Sequence, residues 1–405
     1  LLLFSKKKRF LSLERRMLDD IGSVAETLLR YARTKTTFQA ESVRKVSAAS
    51  FTDPARWQAE IERIFLRVPL VLALTAEMRE PGSYKAMDVV GKPVLLTRDK
   101  AGHVHAHLNV CSHRGAVVVD EGCGRRSRFT CPYHGWTYGL DGSLLAVNSP
   151  ETFGPLDRAT HGLTKLPCTE RAGMIFVSLT PGAEIDLAAF YGAMLDDFEA
   201  VDLAGFTYLG SRVIEGANWK VAMDGYLEGY HFATLHPTTI HPRTLSNLTH
   251  YEAFGPHQRI GFAQTAIAEK LAAVPRERWG EQENHGFDFV RILFPNVSAF
   301  FAPEITQISQ LFPGPTPDRN RTVLSYLRRE GPRDAADQAA IEQMMDFLRD
   351  VVRDEDYALG FKIQKGLESG ALENIVLGRN ERGNQFFHEY VDWYLGDRHA
   401  APPSL

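Results

Sequence analysis

Residues 111–136 carry the decisive stretch: Cys111-Ser112-His113-Arg114-Gly115, then Cys131-Pro132-Tyr133-His134-Gly135-Trp136. Each loop offers one thiolate and one imidazole. Structural zinc sites usually group Cys with Cys and His with His. One Cys and one His per loop suits instead a [2Fe–2S] cluster in which two thiolates hold one iron and two imidazoles the other. Neutral imidazole in place of anionic thiolate raises the reduction potential. Gly115, Gly135 and the Pro132 turn let backbone approach the sulfides, and Tyr133 and Trp136 can shield the cluster from water. The rival readings are a tetrahedral zinc site and a chance scatter of Cys and His on strands.

Working outward, residues 92–110 alternate around an Asp99-Lys100-Ala101-Gly102 turn, and residues 137–147 repeat the pattern around Asp141-Gly142. Residues 173–182 read as one more strand ending at Pro181-Gly182. This predicts an all-β unit between about residues 80 and 185. Before it, residues 18–66 read as helical. After it the pattern predicts a helix over 186–200, a strand over 207–215 and a helix over 218–236 that stops at Pro237. Strands follow at 287–301, 304–313 and 321–329, then a long helix over 334–369. His103, His105 and His107 alternate on one strand and read as outward polar residues.

The chain has 405 residues, 44% of them apolar and 24% charged, with a formal net charge of −4. That length suits two domains, and no basic surplus invites nucleic acid. Its four cysteines do not make a disulfide scaffold. In a reducing, cytoplasmic compartment they mean metal or inert thiol; Cys123 and Cys168 take the second reading. No apolar run is long enough to cross a bilayer. The basic run at Lys6-Lys7-Lys8 follows apolar residues instead of preceding them, unlike a signal peptide. Some residues of the segment 1–16 read as non-native.

A second constellation lies downstream, with Glu228, His231 and His236 in Glu-Gly-Tyr-His-Phe-Ala-Thr-Leu-His. Two His five apart need a bend or helix end between them to share a ligand. Two His and one carboxylate on one face of Fe(II) leave positions open for O2 and substrate. The third ligand must come from afar. Residues 353–367 offer Asp354, Glu355 and Asp356, with Asp356 on the apolar side through Val352, Leu359, Gly360 and Ile363, where an unpaired carboxylate is costly. Asp354 and Glu355 read as solvated surface charge.

Together the two motifs resemble those of the Rieske non-haem iron oxygenase α subunits, over about residues 51–377. Respiratory Rieske proteins differ, adding a disulfide pair in these loops and a membrane anchor. The resemblance implies an α+β fold in three stretches: an N-terminal helical segment (1–54), an all-β Rieske domain (55–185), and a helix-grip (START-like) catalytic domain with a curved antiparallel sheet (186–405). It implies Cys111, His113, Cys131 and His134 as cluster ligands and His231, His236 and Asp356 as ligands of a mononuclear Fe(II). Glu228 stands where relatives usually carry Asp, and would bridge His231 to a cluster-ligating His of an adjacent subunit. Asp224 falls where many relatives carry Asn. Electrons would come from NAD(P)H through a reductase, directly or by way of a ferredoxin. The expected product is a terminal oxygenase that uses O2 to hydroxylate a hydrophobic aromatic or alicyclic substrate, as a homotrimer without nucleic-acid or membrane partners. Phe232, Phe294, Phe300 and Phe301 are candidates to line its pocket. The alternatives are oxidative demethylation of a quaternary amine and, further off, a zinc-stabilised START-like binding protein.

Overall fold

The computed structural model describes residues 21–280, 286–396, 398 and 400–405; the segment 1–16 lies outside them. The described residues fold as two compact units, one formed by Glu60–Ala189 with Asp202–Phe206, the other by the rest of them.

The smaller unit is antiparallel. Its five-stranded sheet runs in the order Lys165–Leu166, Val104–Leu108, Lys92–Arg98, Ser83–Val89, Gly122–Arg125. Two three-stranded sheets complete it, one of which, Phe129–Thr130, Thr137–Tyr138 and Leu144–Ala146, flanks the second Cys/His loop. The hairpin expected around Asp99 is present, in register Arg98↔Val104. Asp99 closes the turn by accepting from the Ala101 and His103 N–H groups, each at 2.9 Å, as turn aspartates do. The three histidines divide. His103 is exposed and His105 binds Asp99 at 2.9 Å, but His107 is buried beneath Gly142, where a Cβ would fall 2.3 Å from its Nε2. The outward reading fails at His107, because a loop covers that end of the strand.

The larger unit is built on a seven-stranded antiparallel sheet, in the order Thr207–Gly216, Asn320–Arg328, Thr306–Pro313, Val297–Phe301, Phe287–Leu293, His257–Gln264, Thr244–Phe254. Helices cover one face. Val24 and Leu28 of helix 21–34 close on Gly261, and Asp197 of helix Ala193–Val201 is buried against Arg259 and Arg291. The other face carries Phe262, which packs on Phe232.

Several elements depart from expectation. Residues 36–66 are not one helical run: Arg44–Ser47 is a strand paired with Asn374–Leu377. The strand expected over 287–301 divides at a cis Phe294-Pro295 turn. The hairpin 244–264 and the helix Arg382–Leu395 lie where neither was expected. The long C-terminal helix forms, but Val351–Tyr357 within it is π-helical. Leu359 and Ile363 are exposed, and Gly360, Gln364 and Leu367 make the buried side instead.

Candidate metal centres

The two Cys/His loops are conformational twins. The Cys111 N–H donates to Ala116 and the Gly115 N–H to Cys111; likewise the Cys131 N–H donates to Trp136 and the Gly135 N–H to Cys131. Gly115 and Gly135 sit at φ +78° and +74°, which side chains rarely tolerate. The turn geometry itself therefore demands glycine. Both cysteines are buried, unbridged, in one cluster with Trp136 and Tyr138. The His113 and His134 rings lie 4.6 Å apart, and Trp136 stacks on His113 at 4.9 Å. Trp136 is buried, whereas Tyr133 covers His134 while remaining 58% exposed.

This donor set fits a cluster. His113 Nδ1 is buried without a hydrogen-bond partner among the described residues, a costly state for a nitrogen with nothing to bind. Tyr138 is a residue that sequence reasoning missed. Its hydroxyl lies 3.1 Å from Cys111 Sγ and 3.0 Å from Ser112 Oγ. Burial, and then the neighbouring Cys111, push that hydroxyl up to about 12, so it stays protonated and has a proton to offer a thiolate sulfur. The signal was present: Tyr138 follows Trp136 by two residues, where the second Cys/His loop runs into the expected strand.

In the larger unit the helix expected over 218–236 breaks. Trp219–Asp224 is helical, a turn follows, and His231 and His236 cap the two ends of the one-turn helix Phe232–Leu235. This is how a five-residue spacing brings both rings to one place, with centroids 5.1 Å apart. Asp356 Oδ1 lies 3.0 Å from His236 Nε2 and 3.6 Å from His231 Nε2. One ligand atom from each of the three residues falls within 4.8 Å of the others.

Each ring is held from behind by a glutamate. His231 Nδ1 meets Glu228, which also accepts from the His231 backbone N–H at 3.2 Å. Glu228 reaches its histidine from a turn, not from a helix face. His236 Nδ1 meets Glu355, which accepts as well from Thr239 at 2.8 Å. The surface assignment of Glu355 is thus corrected. In the π-helical turn, successive residues Glu355 and Asp356 reach opposite ring nitrogens of one histidine, and such turns recur at functional sites. Asp354 is the exposed one, paired with Arg353. Burial opposes charge on His236, but Asp356 and Glu355 outweigh it and hold the ring above the ordinary imidazole range. Asp224 accepts from His388 at 3.0 Å and from Asn384 at 3.2 Å, tying the start of this segment to helix Arg382–Leu395. With both Nδ1 atoms engaged, both Nε2 atoms and Asp356 make a two-His, one-carboxylate group that could hold Fe(II).

Comparisons with known proteins agree with both centres. Residues 68–166 match the Rieske [2Fe–2S] domain, and residues 203–397 match the catalytic domain of the ring-hydroxylating α subunit. The chain is 30% identical to chloroplastic choline monooxygenase of Beta vulgaris, over 84% of this chain and 74% of that one. It is 26% identical to the glycine betaine monooxygenase oxygenase subunit of Chromohalobacter salexigens, over 88% and 87%. The fold is shared with the quaternary ammonium Rieske monooxygenase CntA bound to L-carnitine, at a TM-score of 0.75 and 21% identity over 88% of this chain and 97% of that one. With a [2Fe–2S] domain followed by an iron-binding catalytic domain, the chain belongs to the Rieske non-haem iron oxygenase α subunits.

Proposed function

We propose that Cys111, His113, Cys131 and His134 hold the cluster of this terminal oxygenase, and that His231, His236 and Asp356 hold its iron. The convergence of two Nε2 atoms and one carboxylate oxygen, each ring backed by its own glutamate, carries the assignment. Bound there, the cluster supplies single electrons from a reductase or ferredoxin, and the iron supplies the place where O2 and a small organic substrate react. The chain's own residues do the positioning. Glu228 and Glu355 fix the ring orientations and keep the protons on Nδ1. The Phe232 ring, 4.9 Å from that of His231, and Phe262 behind it exclude water from one side.

These rings favour an aromatic or alicyclic substrate, hydroxylated as in aromatic catabolism. A second reading, oxidative demethylation of a quaternary amine, is supported by the relatives that match along most of the chain, and aromatic rings also attract quaternary ammonium. Measuring substrate-dependent NADH and O2 consumption with a surrogate reductase, across both compound classes, tests the choice: uptake with quaternary amines alone rejects the ring reading. We place the oxygenase in a homotrimer, in which Glu228 links His231 to His113 or His134 of an adjacent copy through a head-to-tail contact that closes into a ring. A fully active monomer in sedimentation at assay concentration contradicts it.

A further inference from the structure

The sheet face that meets the iron residues carries buried polar groups that find no hydrogen-bond partner among the described residues. Register places Gln307 opposite both Tyr326 and Phe300, and Ser309 opposite Ser298 and Leu324. Residues two apart on a strand share a face, so Gln307 and Ser309 lie together. Phe262 belongs to that face through Ile260, Val290 and Phe300, and it packs on Phe232 beside His231 and His236. Ser309 lies against the Tyr226 hydroxyl, which has Asp356 and Tyr357 as neighbours. A continuous path of side chains thus leads from the iron ligands to Gln307 and Tyr326.

Gln307 Nε2 donates to Ser309 Oγ at 3.2 Å, which leaves Oε1 without a partner among the described residues. The Tyr326 hydroxyl has none either. Gln307 is 9% exposed and Tyr326 is wholly buried. Most buried polar groups in native interiors have a partner, because an unmade hydrogen bond costs more than a made one returns. Directly opposed strand residues have Cβ atoms only ~5 Å apart, so the two groups can converge on one atom.

We propose that Gln307 and Tyr326 form the polar end of the substrate site and receive a hydroxyl carried by the substrate, whose O–H donates to Gln307 Oε1 while its oxygen accepts from the Tyr326 O–H. This rests on the oxygenase reading above and narrows it: the substrate is a small alcohol whose oxidisable end lies towards His231, His236 and Asp356. Burial holds the Tyr326 hydroxyl above the usual phenol range, keeping it a donor at neutral pH.

The test uses iron-replete protein under anaerobic conditions and two probe pairs, each exchanging a hydroxyl for a methyl group. They are benzyl alcohol with ethylbenzene, and (2-hydroxyethyl)trimethylammonium with propyltrimethylammonium. In calorimetric titration the alcohol of at least one pair binds about tenfold tighter or better, and Tyr326→Phe reduces that preference to within about threefold. Because the hydroxyl has no partner among the described residues, Tyr326→Phe does not lower the melting temperature. The proposal is overturned by equal affinities within both pairs, by no binding of either alcohol, by an unchanged preference in Tyr326→Phe, or by a lower melting temperature in that variant. Iron content and the visible spectrum of the same samples judge the oxygenase reading separately.

Discussion

At the iron site two glutamates play similar parts by different means. Glu355 is the acceptor that His236 Nδ1 meets among the described residues, and removing such an outer partner typically weakens metal binding by about 10- to 100-fold. Glu355→Ala should show that loss in competitive chelator titrations. Glu228→Gln keeps an acceptor at His231, so iron should stay bound, while oxidation of the pre-reduced cluster by O2 and substrate slows by orders of magnitude in single-turnover absorbance. Wild-type rates in fully metallated Glu228→Gln would return Glu228 to a structural role. At the cluster, a bond donated by the Tyr138 hydroxyl to Cys111 Sγ, 3.1 Å away, would favour the more negative, reduced state. Losing a hydrogen bond to a charged sulfur costs about 1.5 kcal/mol, which for one electron is on the order of 60 mV. Only the difference in that bond between the two redox states moves the potential, so Tyr138→Phe should lower it by up to that amount in a redox titration, with the cluster intact.

Among the elements, the seven-stranded sheet holds a charge cluster on the face away from the iron residues. Burial raises the Asp197 carboxyl, but Arg291 and Arg259 outweigh it and hold it below the usual carboxylate range. A depressed folded-state pKa gives stability that is present above the unfolded value, about 3.9, and is lost as pH falls through the folded one. Asp197→Ala leaves both guanidinium groups buried without their shared partner and should cost about 3–5 kcal/mol in denaturant unfolding at neutral pH. An unchanged midpoint would show that water reaches the pair. The helix Arg382–Leu395 matters more to the site than its sequence suggested. Gly383 lets it approach so closely that a Cβ would fall 2.6 Å from the Leu227 carbonyl oxygen, and His388 and Asn384 fasten Asp224.

On the scale of the whole molecule, what could be read in the sequence was what chemistry restricts most. Cys111, His113, Cys131 and His134 stand in a spacing that few other sites need, and the hairpin at Asp99 had both alternation and a turn. Glu355 escaped because a helical wheel turns adjacent residues away from each other, and nothing in the periodicity announces a π-helical turn. The hairpin 244–264 escaped because His257–Gln264 is buried on both faces, which erases alternation. The helix Arg382–Leu395 was missed because much of its circumference is buried, including Asn384, Gln385 and His388; polar residues there serve as ties instead of marking a solvent face. Among the described residues no helix is long and apolar enough to cross a membrane.

The central claim is that one chain holds two separate iron centres on these seven ligands. Iron and acid-labile sulfide analysis, paired with the visible spectrum, tests it in protein prepared anaerobically with ample iron. The account predicts a brown wild type with about three irons and two sulfides per chain. His113→Ala should lose the colour, and His236→Ala should keep the colour and both sulfides while losing about one iron. A colourless, zinc-loaded wild type, or a His236→Ala protein with its full iron content, would contradict it.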